Sequence, residues 1–264
     1  MTWRPAMDDR PLAGLSSATV CARDDWDDHW EDFGDANQHN PAQEYRRRLA
    51  LYLLGRRSAP ERLLDIGSGN GELLAAASRR WRSAQLAGLE LSESAVAEAR
   101  RKVPGARFRV CDLIRDAAPE LGEAAWATHA VCSEVLEHVD DPVALLRNSR
   151  NWLVPGCRVV VTVPGGPMSA FDRHIGHRRH FSPDDLGAVM AAAGLEVALV
   201  AGAGFPFFNV YRSLVIARGD RLIGDAGSDG RLLRGAMAMF RPLLLICLPR
   251  SPFGWQTIGV GREP

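Results

Sequence analysis

The chain alternates short apolar runs with longer stretches in which apolar residues recur every three to four positions. Short runs bounded by turn residues read as buried strands, and the longer period reads as helix. Strands are predicted at 62–66, 85–89, 107–111, 128–133 and 158–163, with helices between them at 72–81, 93–102 and 142–153. Further strands are predicted at 196–200 and 257–260. Such alternation predicts an α/β fold, a doubly wound and mostly parallel sheet covered by helices on both faces.

Turn chemistry sharpens several boundaries. Pro41 suits the first turn of a helix running to about Leu54 and carrying Tyr45, Leu49, Tyr52 and Leu53. Ser182 is a predicted N-cap with Pro183 at the first helical position, and Gly194 ends that helix. Pro155-Gly156 predicts a turn before the fifth strand. In residues 24–35, Trp26, Trp30 and Phe33 fall on one helical face, which suits a helix packed on the core or a lid. Residues 1–20 show no period.

The segment 202–252 is too long for a simple connection between strands. It holds Phe205-Pro206-Phe207-Phe208, Tyr211 and an apolar stretch from Met237 to Leu248. It reads as a helical pair on the sheet or as a cap walling a pocket, with Phe207, Asn209, Tyr211 and Arg212 as candidate acceptor-binding groups. Its apolar character also permits a lipid-like acceptor or a homodimer interface. The expected division is 1–58 tail and helical lid, 59–201 cofactor-binding core, 202–252 insertion, and 253–264 last strand.

The most informative run is Leu63-Leu64-Asp65-Ile66-Gly67-Ser68-Gly69-Asn70-Gly71. Three glycines at alternate positions follow a strand and precede a helix. Such a turn tolerates positive φ and lets a ligand lie on the backbone, with unpaired helix amides behind it. The spacing is G-x-G-x-G, not the G-x-G-x-x-G of dinucleotide folds. The second strand ends at Glu90, where a carboxylate can accept both ribose hydroxyls. The third ends at Cys111-Asp112, where Asp112 can accept from an adenine amino group.

With Ser133-Glu134-Val135-Leu136-Glu137-His138-Val139 after the fourth strand, these motifs resemble the class I S-adenosylmethionine-dependent methyltransferases over about 60–261. The resemblance implies a seven-stranded Rossmann-like methyltransferase sheet. It implies that the glycine turn holds the methionyl part of S-adenosylmethionine, Glu90 the ribose and Asp112 the adenine. The cofactor set on this reading is Asp65, Gly67, Ser68, Gly69, Gly71, Glu90, Leu91, Cys111, Asp112, Leu113 and Ser133.

If a helical turn begins at Glu134, then Glu134, Glu137 and His138 share a face. His174, His177 and His180 follow the fifth strand and can hang over the same edge. Three readings remain open. The cluster is ordinary architecture framing the cofactor; or a histidine, His177 first, is a general base, with His138 and Glu134 as the other catalytic candidates; or Glu134, Glu137, His138 and His177 hold a divalent ion. The metal is the least favoured. The Glu-x-x-Glu-His run is similar to that of the ubiquinone-pathway O-methyltransferases and small-RNA 2′-O-methyltransferases, where it serves metal binding with a later histidine. Many relatives with such a run need no metal, and the later loop here is richer in Arg and His. Arg173, Arg178 and Arg179 suit either a solvated loop or, with Arg178 foremost, contact with an acceptor carboxylate or phosphate.

Composition narrows the acceptor. Lys plus Arg (32) equals Asp plus Glu (32), so no global charge favours nucleic acid. The five cysteines are scattered without a C-x-x-C pair, which argues against a zinc site and suits a reducing compartment. Residues 1–12 lack a signal-peptide pattern, and Leu243–Leu248 is too short to span a bilayer, so a cytoplasmic protein without stable membrane insertion is expected. The reading is methyl transfer to a small-molecule acceptor of natural-product, isoprenoid, quinone or sugar type, with oxygen preferred. N- or C-methylation and a non-catalytic ligand-binding module are the alternatives.

Overall fold

The computed structural model describes residues 40–115, 124–224 and 240–264. The expected helix at 24–35 lies outside them, as does the start of the apolar stretch at Met237.

Strands β1 (Arg62–Ile66), β2 (Gln85–Glu90), β3 (Arg107–Val110), β4 (Ala127–Ser133), β5 (Leu153–Pro164), β6 (Glu196–Ala203) and β7 (Gln256–Arg262) form one sheet in the order β3-β2-β1-β4-β5-β7-β6. Only β7 runs antiparallel to its neighbours, β5 and β6. The order reverses between β1 and β4, so a crevice opens at their carboxyl ends, where ligands bind in open α/β sheets.

Alternation within each strand sorts the two faces. Leu63, Val131, Val160 and Ile258 pack with α1 (Pro41–Leu54), α2 (Glu72–Arg80) and α3 (Glu93–Lys102). Leu64, Ile66, Cys132, Val161 and Val163 pack with α4 (Pro142–Ser149) and α6 (Pro183–Ala192). Adjacent residues Leu63 and Leu64 thus feed opposite cores, as a period of two demands. A short α5 (Ala170–His174) follows β5, and α7 (Phe207–Gly224) follows β6.

Caps set the helix starts. Asn40 accepts from the Ala42 amide at 2.9 Å ahead of Pro41, and Ser182 and Asp185 form a reciprocal capping box ahead of α6. Pro155-Gly156 does not precede β5 but lies within it. The pairing with β4 shifts register between Ala127 and His129, and Gly156 takes φ +80°, so the turn is absorbed as an irregularity. Among the described residues, no helix is long and apolar enough to cross a membrane.

Candidate active site

The glycine turn joins β1 to α2. Gly67, Gly69 and Gly71 have φ of +74°, +49° and +81°. At Gly67 a Cβ would lie 2.5 Å from Val135 Cγ2, so conformation and space both require glycine. Glu90 closes on the turn from β2. Its Oε2 accepts from the Gly69 amide at 2.7 Å, and its Oε1 from Leu91 and Ser92 amides at 2.9 and 3.1 Å. Asp65 is buried, and burial followed by the Glu90 charge pushes its carboxyl well above the usual carboxylate range.

The other residues expected around the cofactor take their places along the same edge. Ser68 packs where Gly88 has no side chain. Asp112 accepts from the amides of Ile114 and Arg115, turning the chain after β3. Cys111 and Leu113 are buried and Leu91 is exposed. Ser133, at the end of β4, shares a 2.8 Å hydrogen bond with Thr162.

Glu134 departs from the expected convergence. It has φ +58°, outside the helical region, and a 3-10 turn begins only at Leu136. Its carboxylate pairs with Arg46 Nε at 3.0 Å and accepts from Gln256 Nε2 at 2.7 Å and Thr162 Oγ1 at 3.1 Å. Arg46 also donates to Gln256 Oε1 at 3.0 Å. Glu134 therefore ties β4 to α1 and β7, while Glu137 and His138 turn toward the histidine loop.

There Glu137, His138 and His177 bring one ligand atom each within 4.8 Å of one another. Glu137 is wholly buried and neither carboxylate oxygen has a hydrogen-bond partner. Burial, then the charge of Glu134, raises its carboxyl well above the ordinary value. The His138 and His177 rings meet edge to face at 4.8 Å. Burial, and then His138, push the His177 imidazole down to about 2, so it is neutral at physiological pH.

Asp172 is the hub that sequence reading missed. Its buried carboxylate takes two hydrogen bonds from Arg212, at 2.9 and 2.8 Å, and two from Ser169, both 2.7 Å. Burial alone would raise Asp172, but the Arg212 bonds and charge, with the Ser169 donors, hold it below the usual range. Asp172, His177 and His180 form a second group of three that shares His177 with the first. The readable signal was Ser-x-x-Asp at 169–172, a capping box.

The groups expected to meet an acceptor are mostly engaged. Arg212 is committed to Asp172, which removes it from the acceptor set. Asn209 donates to the Phe253 carbonyl and accepts from the Trp255 amide, fastening α7 to the approach to β7. Tyr211 is buried and donates to Asn40 at 3.1 Å. Arg178 pairs with Asp140, and Phe207 is partly buried. Phe208 and Tyr211 pack into the core, while Val210, Leu214, Leu245 and Ile246 on the insertion, and Phe253 just beyond it, are exposed.

A methyltransferase-domain family model matches residues 36–200. The chain is 35% identical over 121 residues to the trans-aconitate 2-methyltransferase of Acidovorax ebreus, covering 45% of each protein. It is 30% identical over 161 residues to the ubiquinone biosynthesis O-methyltransferase of Pseudomonas aeruginosa, covering 54% of this chain and 68% of that enzyme. The chain thus spans under half the length of the first relative and about two thirds of the second. Its fold is similar to that of the geranyl diphosphate C-methyltransferase of Streptomyces coelicolor A3(2), solved with Mg2+, geranyl diphosphate and S-adenosyl-L-homocysteine. That likeness has a TM-score of 0.55 at 16% identity over 84% of this chain and 79% of that one. The chain belongs to the methyltransferase-domain family. Its seven-stranded, mostly parallel sheet is the Rossmann-like methyltransferase fold expected from the sequence.

Proposed function

We propose that this enzyme transfers the methyl group of S-adenosylmethionine to a hydroxyl of a small-molecule acceptor. The observation that carries the reading is one of placement: the Gly67–Gly71 turn with Glu90 follows the carboxyl ends of β1 and β2, and the Glu137–His138–His177 cluster follows those of β4 and β5, on the same edge of one sheet. The turn and Glu90 hold the methionyl and ribose portions, and Asp112 meets the adenine. The acceptor oxygen attacks the methyl carbon in line. The carbon–sulfur bond electrons pass to sulfur, leaving neutral S-adenosylhomocysteine, and the hydroxyl proton passes to the His177 imidazole as the sulfonium charge that opposes it is lost, with the Asp172 carboxylate 4.0 Å away facing the new cation. Proximity and alignment supply most of the rate, and proton removal adds to it.

Whether the site accepts a divalent ion turns on Glu137. A buried carboxylate without a donor, beside two imidazoles, is a donor set that such an ion fits. Glu137, His138 and His177 would hold it, and it would lower the pKa of an acceptor hydroxyl. Glu134, held by Arg46 and Gln256, stays out of that set.

The O-methyltransferase relatives and the exposed apolar residues of the insertion support an acceptor with an apolar body, quinol-like or isoprenoid, bearing a hydroxyl. Purified protein with methyl-labelled cofactor and a panel of phenolic, isoprenoid and sugar acceptors tests it. Label on oxygen supports the reading; label only on carbon or nitrogen, or on no acceptor, contradicts it.

A further inference from the structure

The histidine loop contains a chain of hydrogen bonds that begins at a backbone carbonyl. His180 Nδ1 lies 3.1 Å from the Gly166 carbonyl oxygen. A carbonyl only accepts, so the proton sits on His180 Nδ1. The other nitrogen of that ring, Nε2, lies 3.2 Å from His177 Nδ1. A hydrogen bond between two ring nitrogens needs one N–H and one lone pair. A neutral His180 with its proton on Nδ1 offers the lone pair, so His177 Nδ1 donates. His177 Nε2 is then left without a proton.

Both rings are buried, with side chains 7% and 6% exposed, and the Asp172 carboxylate beside them is already held by Arg212, so neither ring has a free partner charge that would stabilise a second proton. Asp172 lies 4.0 Å from His177 Nδ1 and 3.8 Å from His180 Nε2. Both its oxygens already receive donors from Arg212 and Ser169, so it does not compete for the bridging proton. The anchor is fixed as well. Gly166 has φ +68°, and a Cβ there would lie 2.6 Å from Trp255 Cγ. A side chain at this position would collide with Trp255, so the glycine backbone and its carbonyl are held close against that ring.

We propose that His180 is a positioning residue that locks His177 in the Nδ1–H tautomer, so that His177 turns a bare Nε2 to the acceptor. An unconstrained neutral histidine prefers the opposite tautomer, Nε2–H, which has nothing to offer a hydroxyl proton at that nitrogen. The same lock readies Nε2 to coordinate an ion, since ligand orientation is set by the bond the other nitrogen makes. The functional half of this inference rests on the proposed role of His177; the tautomer does not.

The test is a long-range proton–nitrogen correlation spectrum of the whole, chelator-treated protein labelled with 15N-histidine, with His177 assigned from the His177→Ala spectrum. The expected result is a pyrrole-type Nδ1 and a pyridine-type Nε2 for His177. In His180→Leu, His177 is expected to shift toward Nε2–H, with kcat down about tenfold or more and KM for the cofactor unchanged. In His180→Gln, whose Oε1 can accept, the Nδ1–H tautomer is expected to persist. A wild-type His177 protonated on Nε2, or an unchanged His177 tautomer in His180→Leu, would overturn the proposal. A fully active His177→Ala would instead remove the base reading, and it is seen in the rate, separately from the nitrogen shifts.

Discussion

Glu90 Oε2 accepts a 2.7 Å hydrogen bond from the Gly69 amide, tying the end of one strand to the turn that follows its neighbour. With the Leu91 and Ser92 amides on its other oxygen, this single carboxylate shapes the edge on which the cofactor is proposed to lie. A carboxamide offers one acceptor oxygen where the carboxylate offers two. Glu90→Gln is therefore expected to weaken cofactor binding by about tenfold or more, since bonds to a charged acceptor contribute about 1.5–3 kcal/mol. Calorimetric titration with S-adenosylhomocysteine measures it, and an unchanged Kd would refute the role.

Gly67→Ala is expected to destabilise the fold. The added Cβ meets Val135 Cγ2 at 2.5 Å, and the residue must hold φ +74°. Overpacking of this kind costs about 1–3 kcal/mol, read as a lowered denaturation midpoint.

Asp172→Asn is expected to be the most damaging conservative change outside the cofactor edge. It leaves the Arg212 guanidinium buried without its partner charge, at a cost of about 3–5 kcal/mol. The pH dependence carries a sign. Because the folded-state value is depressed, the wild-type contribution is present above the unfolded value, near 3.8, and fades as pH falls below it. Urea midpoints of wild type and variant should diverge at neutral pH and approach each other in acid below that value. A gap that widened with acid would contradict the assignment.

Glu137 gives the opposite sign and a direct handle on metal. Its folded value is raised, so the buried carboxyl costs stability as pH rises from 4.5 through its folded value. Replacing it by methionine removes an unpaired buried acid. Glu137→Met is thus expected to raise the melting temperature of chelator-treated protein and to abolish any rise in melting temperature produced by adding Mn2+. A variant that melts lower than wild type without metal would contradict this account of Glu137.

Much of the framework was legible because it is local. The expected strands fall within a few residues of those formed, and Pro41, Ser182-Pro183 and Gly194 mark real helix ends. The exceptions have physical causes. Pro155-Gly156 looked like a turn before a strand, but the sheet absorbed it because both flanking segments pair. The helical face through Glu134, Glu137 and His138 failed because Glu134 takes positive φ, a state no neighbouring residue announces. Its carboxylate is claimed by Arg46 and Gln256, whose own bond joins residues 210 positions apart. Arg212 was read as a pocket group because an arginine in an aromatic segment looks available. Its partner Asp172 lies 40 residues earlier, and only the fold brings the two together.

The central claim is that the glycine turn holds S-adenosylmethionine, and calorimetric titration of the cofactor into wild type and Gly69→Arg tests it most directly. Gly69 sits at φ +49° with its amide on Glu90, so an arginine there strains the turn and disturbs that hydrogen bond. Saturable binding to wild type and none to a folded Gly69→Arg is the expected result; equal binding to both would contradict the account.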